Sequence, residues 1–127
     1  MKLRIKGSSL RLRLRKSEVT RLLETERVEE KIQFGSSSDA ALTYALEHDR
    51  STAFLTLRHS NREIVVILPT AQAENWAKSE QVGIYANLDT GGNGALEVIV
   101  EKDFACLEGT DAENVDTFAN PKAGVVC

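Results

Sequence analysis

Lys2-Leu3-Arg4-Ile5-Lys6-Gly7-Ser8-Ser9-Leu10-Arg11-Leu12-Arg13-Leu14 is the stretch whose reading decides the fold. Leu3 and Ile5 alternate with Lys2, Arg4 and Lys6, and Leu10, Leu12 and Leu14 alternate with Arg11, Arg13 and Arg15. That is the period of a half-buried strand. The two runs are out of phase, with apolar positions odd before Gly7 and even after Ser9. One straight strand would send half of these side chains to solvent. Gly7-Ser8-Ser9 is therefore expected to hold a bulge or tight bend that resets the register, with Gly7 able to take positive φ.

Outward from this stretch, Ser17 suits an N-cap and Glu18 the positive end of a helix over about Ser17 to Glu26, with Val19, Leu22 and Leu23 as its apolar stripe. Val28, Glu30, Ile32 and Phe34 share one face of a following strand, and Gly35-Ser36-Ser37-Ser38-Asp39 reads as a loop. Leu42, Tyr44 and Leu46 alternate, as do Ala53, Leu55 and Leu57. Ile64-Val65-Val66-Ile67-Leu68 is apolar on both faces and suits a covered central strand. Pro69 ends it, and Thr70 is placed to cap a second helix with Ala73, Trp76 and Ala77 inward. Val82, Ile84, Ala86 and Leu88 form a strand, Asp89-Thr90-Gly91-Gly92-Asn93-Gly94 a hairpin turn, and Leu96, Val98 and Val100 the returning strand.

Short connections favour antiparallel pairing with both helices on one side. The expected fold is α+β: a curled, mostly antiparallel, barrel-like sheet of about seven strands, which covers its edges, with two short helices. Residues 1–107 are expected to form one globular domain and residues 108–127 an irregular acidic tail. No internal repeat is visible in the sequence.

The chain has 127 residues, 42% of them apolar and 28% charged, an ordinary globular composition. No apolar run approaches the roughly 20 residues of a membrane helix. Charges interleave the first residues where a signal peptide needs an apolar stretch, so a cytoplasmic location is expected. Two cysteines, Cys106 and Cys127, are too few for a disulfide scaffold. The net charge of −3 does not itself drive binding to nucleic acid. Its distribution is uneven: Lys2, Arg4, Lys6, Arg11, Arg13, Arg15 and Lys16 precede any acid, whereas Glu101, Asp103, Glu108, Asp111, Glu113 and Asp116 outweigh Lys102 and Lys122. The basic head and acidic tail can pair with each other, across a homodimer, or with a partner.

Arg11, Arg13 and Arg15 project from one strand face at steps of about 7 Å, a spacing suited to a nucleic-acid backbone. The simpler reading of the same pattern is a solvated sheet face whose arginines pair with Glu29, Glu97 or Glu101 on neighbouring strands, since alternating charge is how any half-exposed strand stays soluble. No aromatic interleaves them, which argues against stacking on single strands. Cys106 and Cys127 lack the clustered spacing of a zinc site, and His48 and His59 complete a ligand set only if the fold brings them there. The acidic tail lacks the spacing of a calcium loop. Gly91-Gly92-Asn93-Gly94 is not followed by a helix start or a Lys-Ser/Thr pair, so a hairpin turn explains it without a phosphate cradle. Ser36-Ser37-Ser38-Asp39 and His48-Asp49 supply parts of a hydrolytic triad, but no nucleophile-elbow pattern places the serine. No cofactor motif is present.

Residues 3–34, with Lys6-Gly7-Ser8-Ser9-Leu10 at the turn, a helix from Ser17 and then Val28, resemble one hairpin unit of the swapped-hairpin antitoxin and transition-state regulator domains. That resemblance implies an interlocked dimer binding DNA through basic residues. The sequence departs from the motif at Ser8, where Asn is favoured, and at Thr25-Glu26-Arg27, which lacks a turn glycine. The whole chain resembles a bacterial family of unknown function of about this length, through Lys6 to Leu14, Trp76-Ala77 before Gln81-Val82-Gly83-Ile84, and Glu101-Lys102-Asp103-Phe104-Ala105-Cys106-Leu107. That resemblance implies no activity. The reading is a small non-enzymatic binding or interaction module; a DNA-binding regulator using the basic strands, or a metal or redox site at the cysteines, are the alternatives.

Overall fold

The computed structural model describes residues 1–92, 94–104 and 115–119. Gly7 lies at φ 55, and here the chain folds back on itself: β1 (Lys2–Lys6) and β2 (Ser9–Leu14) are the arms of an antiparallel hairpin, with Leu3 opposite Leu12 and Ile5 opposite Leu10. The phase change across the turn thus places both apolar sets on one face. α1 (Lys16–Thr25) follows at once and ends on Glu26 in the left-handed conformation. Then come the hairpin of β3 (Arg27–Gln33) with β4 (Ala41–Asp49), the hairpin of β5 (Thr56–His59) with β6 (Glu63–Pro69), α2 (Thr70–Lys78), and the hairpin of β7 (Gly83–Asp89) with β8 (Ala95–Lys102).

The eight strands form two four-stranded sheets, β1-β2-β8-β7 and β3-β4-β6-β5, and neither closes into a barrel. This corrects the expectation of about seven strands in one curled, mostly antiparallel sheet. Each sheet is mixed, because its two hairpins join through a parallel pair, β2 with β8 and β4 with β6. A local reading sees the hairpins, whose partners are neighbours in sequence, and misses joins between strands more than a helix apart.

Both sheets turn their apolar faces to a shared core. Leu10, Leu12, Leu14, Ile84, Val98 and Val100 come from one sheet, Val28, Leu46, Val66 and Leu68 from the other, and Val19, Leu22, Ala73 and Trp76 from the helices. Trp76 is fully buried, and its indole N–H donates to the Val82 carbonyl at 3.1 Å, so its one polar atom is satisfied. The two helices pack on each other, α1 also on β3 and β4 and α2 on β4 and β6. α1 runs from the end of β2 to the start of β3, and α2 from the end of β6 to the start of β7, so both bridge the two sheets at the end where β2, β4, β6 and β8 finish.

The arrangement has an internal two-fold pattern. Exchanging β1-β2-α1-β3-β4 with β5-β6-α2-β7-β8 turns the strand order of one sheet into that of the other. The registers obey the same exchange. Leu14 lies opposite Lys102 as Leu68 lies opposite His48, and these equivalent residues are 54 positions apart (68 − 14 and 102 − 48). Leu3 opposite Leu12 becomes Leu57 opposite Val66 by the same shift. Isolated backbone bonds follow it too: Thr43 N–H donates to Arg62 O at 2.8 Å and Glu97 N–H to Ser8 O at 2.9 Å. Only β7 slips, so that Ile84 rather than Val82 takes the place of Val28, because a longer connection follows α2. The repeat that the sequence conceals is therefore present in the fold. Ala41-Leu42 and Glu47-His48-Asp49 align with Ala95-Leu96 and Glu101-Lys102-Asp103, but elsewhere one apolar residue mostly replaces another.

Candidate binding surfaces on the basic hairpin and the helix ends

In the β1–β2 hairpin Arg4 lies directly opposite Arg11 and Lys2 opposite Arg13, so four cations crowd the outer face of one sheet. β8 lies beside β2 on this face, with Ile99 next to Arg11 and Glu101 next to Arg13. Glu101 accepts the Arg13 Nε–H at 2.7 Å and lies 3.6 Å from the Arg11 Nε. Both guanidinium stems cross a strand that holds Ile99 buried, so these arginines cover apolar surface as well as carrying charge. Of the acids considered for this pairing, Glu101 is the one engaged. Lys2 meets Asp103 at 3.0 Å.

Arg15 does not join this face. The sheet ends at Leu14, and Arg15 turns away as the residue preceding α1. Lys2, Arg4 and Lys6 join the face from β1, and of these Arg4 and Lys6 lie toward the turn. Both are exposed, neither has an ion pair among the described residues, and with Ser9 and Arg11 they line a concavity of about 280 Å3. Their juxtaposition was readable in principle, once Gly7-Ser8-Ser9 is taken as a hairpin turn rather than a bend in one strand.

At the opposite end of the hairpin a second constellation forms around α1. Arg15, not Ser17, precedes the helix, and its backbone N–H is accepted by Glu18 Oε1 at 2.9 Å. Glu18 also receives the Met1 ammonium. Ser17 is instead served from far along the chain: its N–H donates to Asp116 Oδ1 at 3.1 Å and its hydroxyl to Asp116 Oδ2, while Lys16 N–H donates to Asp116 O at 3.1 Å. These bonds hold the Asp116 carboxyl below the usual aspartate range, the Ser17 hydroxyl contributing most. Two residues on, Phe118 N–H donates to Asp103 O at 2.8 Å. Its ring meets Phe104 edge-on at 6.0 Å and lies under the amines of Lys102 at 5.4 Å and Lys16 at 5.9 Å. Lys102 is buried, its amine donates to Ser79 O at 2.6 Å, and burial lowers its pKa. Residues 115–119 thus strap the start of α1 to the end of β8.

His48 and His59 are not brought to a common site. The His48 Nδ1 bonds the Thr70 hydroxyl at 2.9 Å, and His59 is exposed on β5. Thr70 is the first residue of α2 rather than its cap. Cys106 and Cys127 lie outside the described residues. Among the described residues no group of three or more His, Cys, Asp and Glu is placed to hold a metal ion, and no helix is long and apolar enough to cross a membrane.

These features define a class of protein: a two-sheet α+β module built from a repeated ββαββ unit, with a basic hairpin face on one unit alone. The chain belongs to the family of unknown function DUF7009, whose model matches residues 1–122. No curated protein and no solved structure matches it.

Proposed function

We propose that the protein is a non-enzymatic binding module whose outer β1–β2 face receives a polyanion, with a nucleic-acid backbone as the fitting class. The observation that carries this reading is the comparison of the two halves. The positions of Arg11 and Arg13 on β2 are filled on β6 by Val65 and Ile67, and those of Lys2, Arg4 and Lys6 by Thr56, Arg58 and Ser60. The second half keeps the same sheet geometry without this charge. Arg58 there is ion-paired with Glu47 and Glu63, whereas Arg4 and Lys6 face solvent. The fold therefore does not require the cations, and a selected binding role accounts for them. Alternate residues along a strand stand about 7 Å apart, so the hairpin offers two parallel rows of charge to a phosphate chain. The interlocking of hairpins from two halves is also the arrangement that the swapped-hairpin resemblance implies for a pair of chains.

A gel-shift titration with mixed-sequence duplex DNA over a range of salt tests the reading. Binding should weaken steeply with salt, and the combined change Arg4→Gln, Lys6→Gln and Arg11→Gln should flatten the log–log slope by up to about three. Absence of binding at low salt, or an unchanged slope in the variant, overturns it.

A further inference from the structure

We propose that the cavity between the end of α1 and the start of α2 is a binding groove for an extended peptide carrying an acidic residue two positions before an aromatic one. The inference comes from the two-fold pattern applied to the strap. Residues 115–119 rest on Lys16, Ser17, Lys102, Asp103 and Phe104. The 54-position shift that relates the halves carries these onto Thr70, Ala71, His48, Asp49 and Arg50. Thr70, His48, Asp49 and Arg50 line one cavity of about 460 Å3, together with residues from the turn after α1. One half of the molecule thus shows the occupant, and the other presents the matching seat.

The chemistry of the second seat suits the same kind of segment. In the first seat the Asp116 carboxylate accepts the Ser17 N–H and hydroxyl, and the Asp116 carbonyl accepts the Lys16 N–H, at the start of α1. At the second, no side chain caps α2, whose first backbone donors lack intrahelical acceptors and sit at the positive end of a nine-residue helix. Arg50 stands where the first seat has Phe104, and its guanidinium can take either the incoming carboxylate or the aromatic face. His48 replaces Lys102, and its Nε2 is buried without a partner. Of the three acids on the cavity wall, Glu47 and Asp49 are already engaged, whereas Glu26 is exposed at the rim with no ion pair among the described residues. Glu47 pairs with Arg27 at 2.9 Å and Arg58 at 3.5 Å, and Asp49 accepts the Ser51 N–H and hydroxyl, each at 2.8 Å. Backbone pairing is preserved as well, since His48 N–H donates to Glu26 O at 3.2 Å as Lys102 N–H donates to Val82 O at 3.1 Å.

The probe is a peptide of residues 113–120, Glu-Asn-Val-Asp-Thr-Phe-Ala-Asn, titrated into the isotope-labelled full chain and followed by NMR and by fluorescence anisotropy of a labelled copy. The expected result is saturable binding with shifts at Thr70, Ala71, His48 and Arg50. Arg50→Ala, a change on an exposed side chain, should weaken it about tenfold, and replacing the aspartate or phenylalanine of the peptide with alanine should abolish it. Shifts confined to Lys16, Ser17 and Lys102 would mean that the peptide only displaces its own copy, and that outcome overturns the proposal. So does the absence of saturable binding, or equal binding to the wild type and the Arg50 variant.

Discussion

Asp116 shows how one side chain is shared between distant parts of the chain. Its carboxylate completes the first turn of α1, a role that Ser17 is suited to by sequence, and Ser17 becomes its donor instead. An aspartate whose folded pKa is depressed stabilises the state in which it is charged. The contribution is complete above the ordinary aspartate pKa of about 3.9 and is lost as the pH falls through the lower, folded value. Below about pH 4 the Ser17 amide and Phe118 ring resonances should therefore move together as the strap leaves α1. Asp116→Ala should reproduce that low-pH pattern at neutral pH, and resonances insensitive to both changes would contradict the assignment. No pattern in the sequence singled out Asp116 among the acids of the tail, because its partner lies a hundred positions earlier.

At the scale of elements, burial follows the place of a strand in its sheet. β2 is flanked on both sides, and Leu12 is 1% exposed, whereas β1 is an edge and Leu3 is half-buried. Leu12→Ala should cost about 2–5 kcal/mol, and Leu3→Ala distinctly less, since an edge site can collapse or admit water. Urea unfolding of the two variants separates them; equal costs would mean that the hairpin is not seated as described. Most strands, the hairpin connection between β7 and β8, and the inward residues of both helices were legible from periodicity and turn chemistry, whereas the break in register at Gly7 was legible only as a bulge or bend and is a hairpin turn in the structure. The continuous apolar run of β6 marked it correctly as an inner strand, with Val65, Val66 and Leu68 all fully buried. β8 carries the same message less plainly, since Glu97 and Glu101 interrupt it on the outer face. Of the basic face, Arg11 and Arg13 were legible. Arg4 and Lys6 needed the hairpin register, and Arg15 was misplaced because the strand ends one residue before it.

For the whole molecule, neither half holds a complete sheet. The first unit lends β1-β2 to one sheet and β3-β4 to the other, and the second unit supplies β7-β8 and β5-β6 to meet them. A chain cut between Thr52 and Ala53, in the segment joining β4 to β5, should therefore give two fragments that copurify in equal amounts when expressed together. Each fragment alone should lack cooperative unfolding, because its central strands β2 and β4, or β6 and β8, lose their parallel partners and expose the core. Native mass spectrometry and circular dichroism measure both expectations. A fragment that folds alone as a stable monomer would refute this account of the assembly.

Local alternation, turn residues and helix stripes determined from sequence alone that the chain is α+β, where most of its strands and both helices lie, and that its opening strand segment is basic. Those properties depend on residues within a few positions of one another. The tertiary structure decided that there are two mixed sheets, that two dissimilar-looking halves are one unit repeated, and that Asp116 and Phe118 return to α1 and β8. It also decided that Arg4 and Lys6 are the unpaired cations of the basic face among the described residues. These depend on parallel strand pairing and on contacts between residues far apart, which hydrophobic exchange leaves almost no trace of in the sequence.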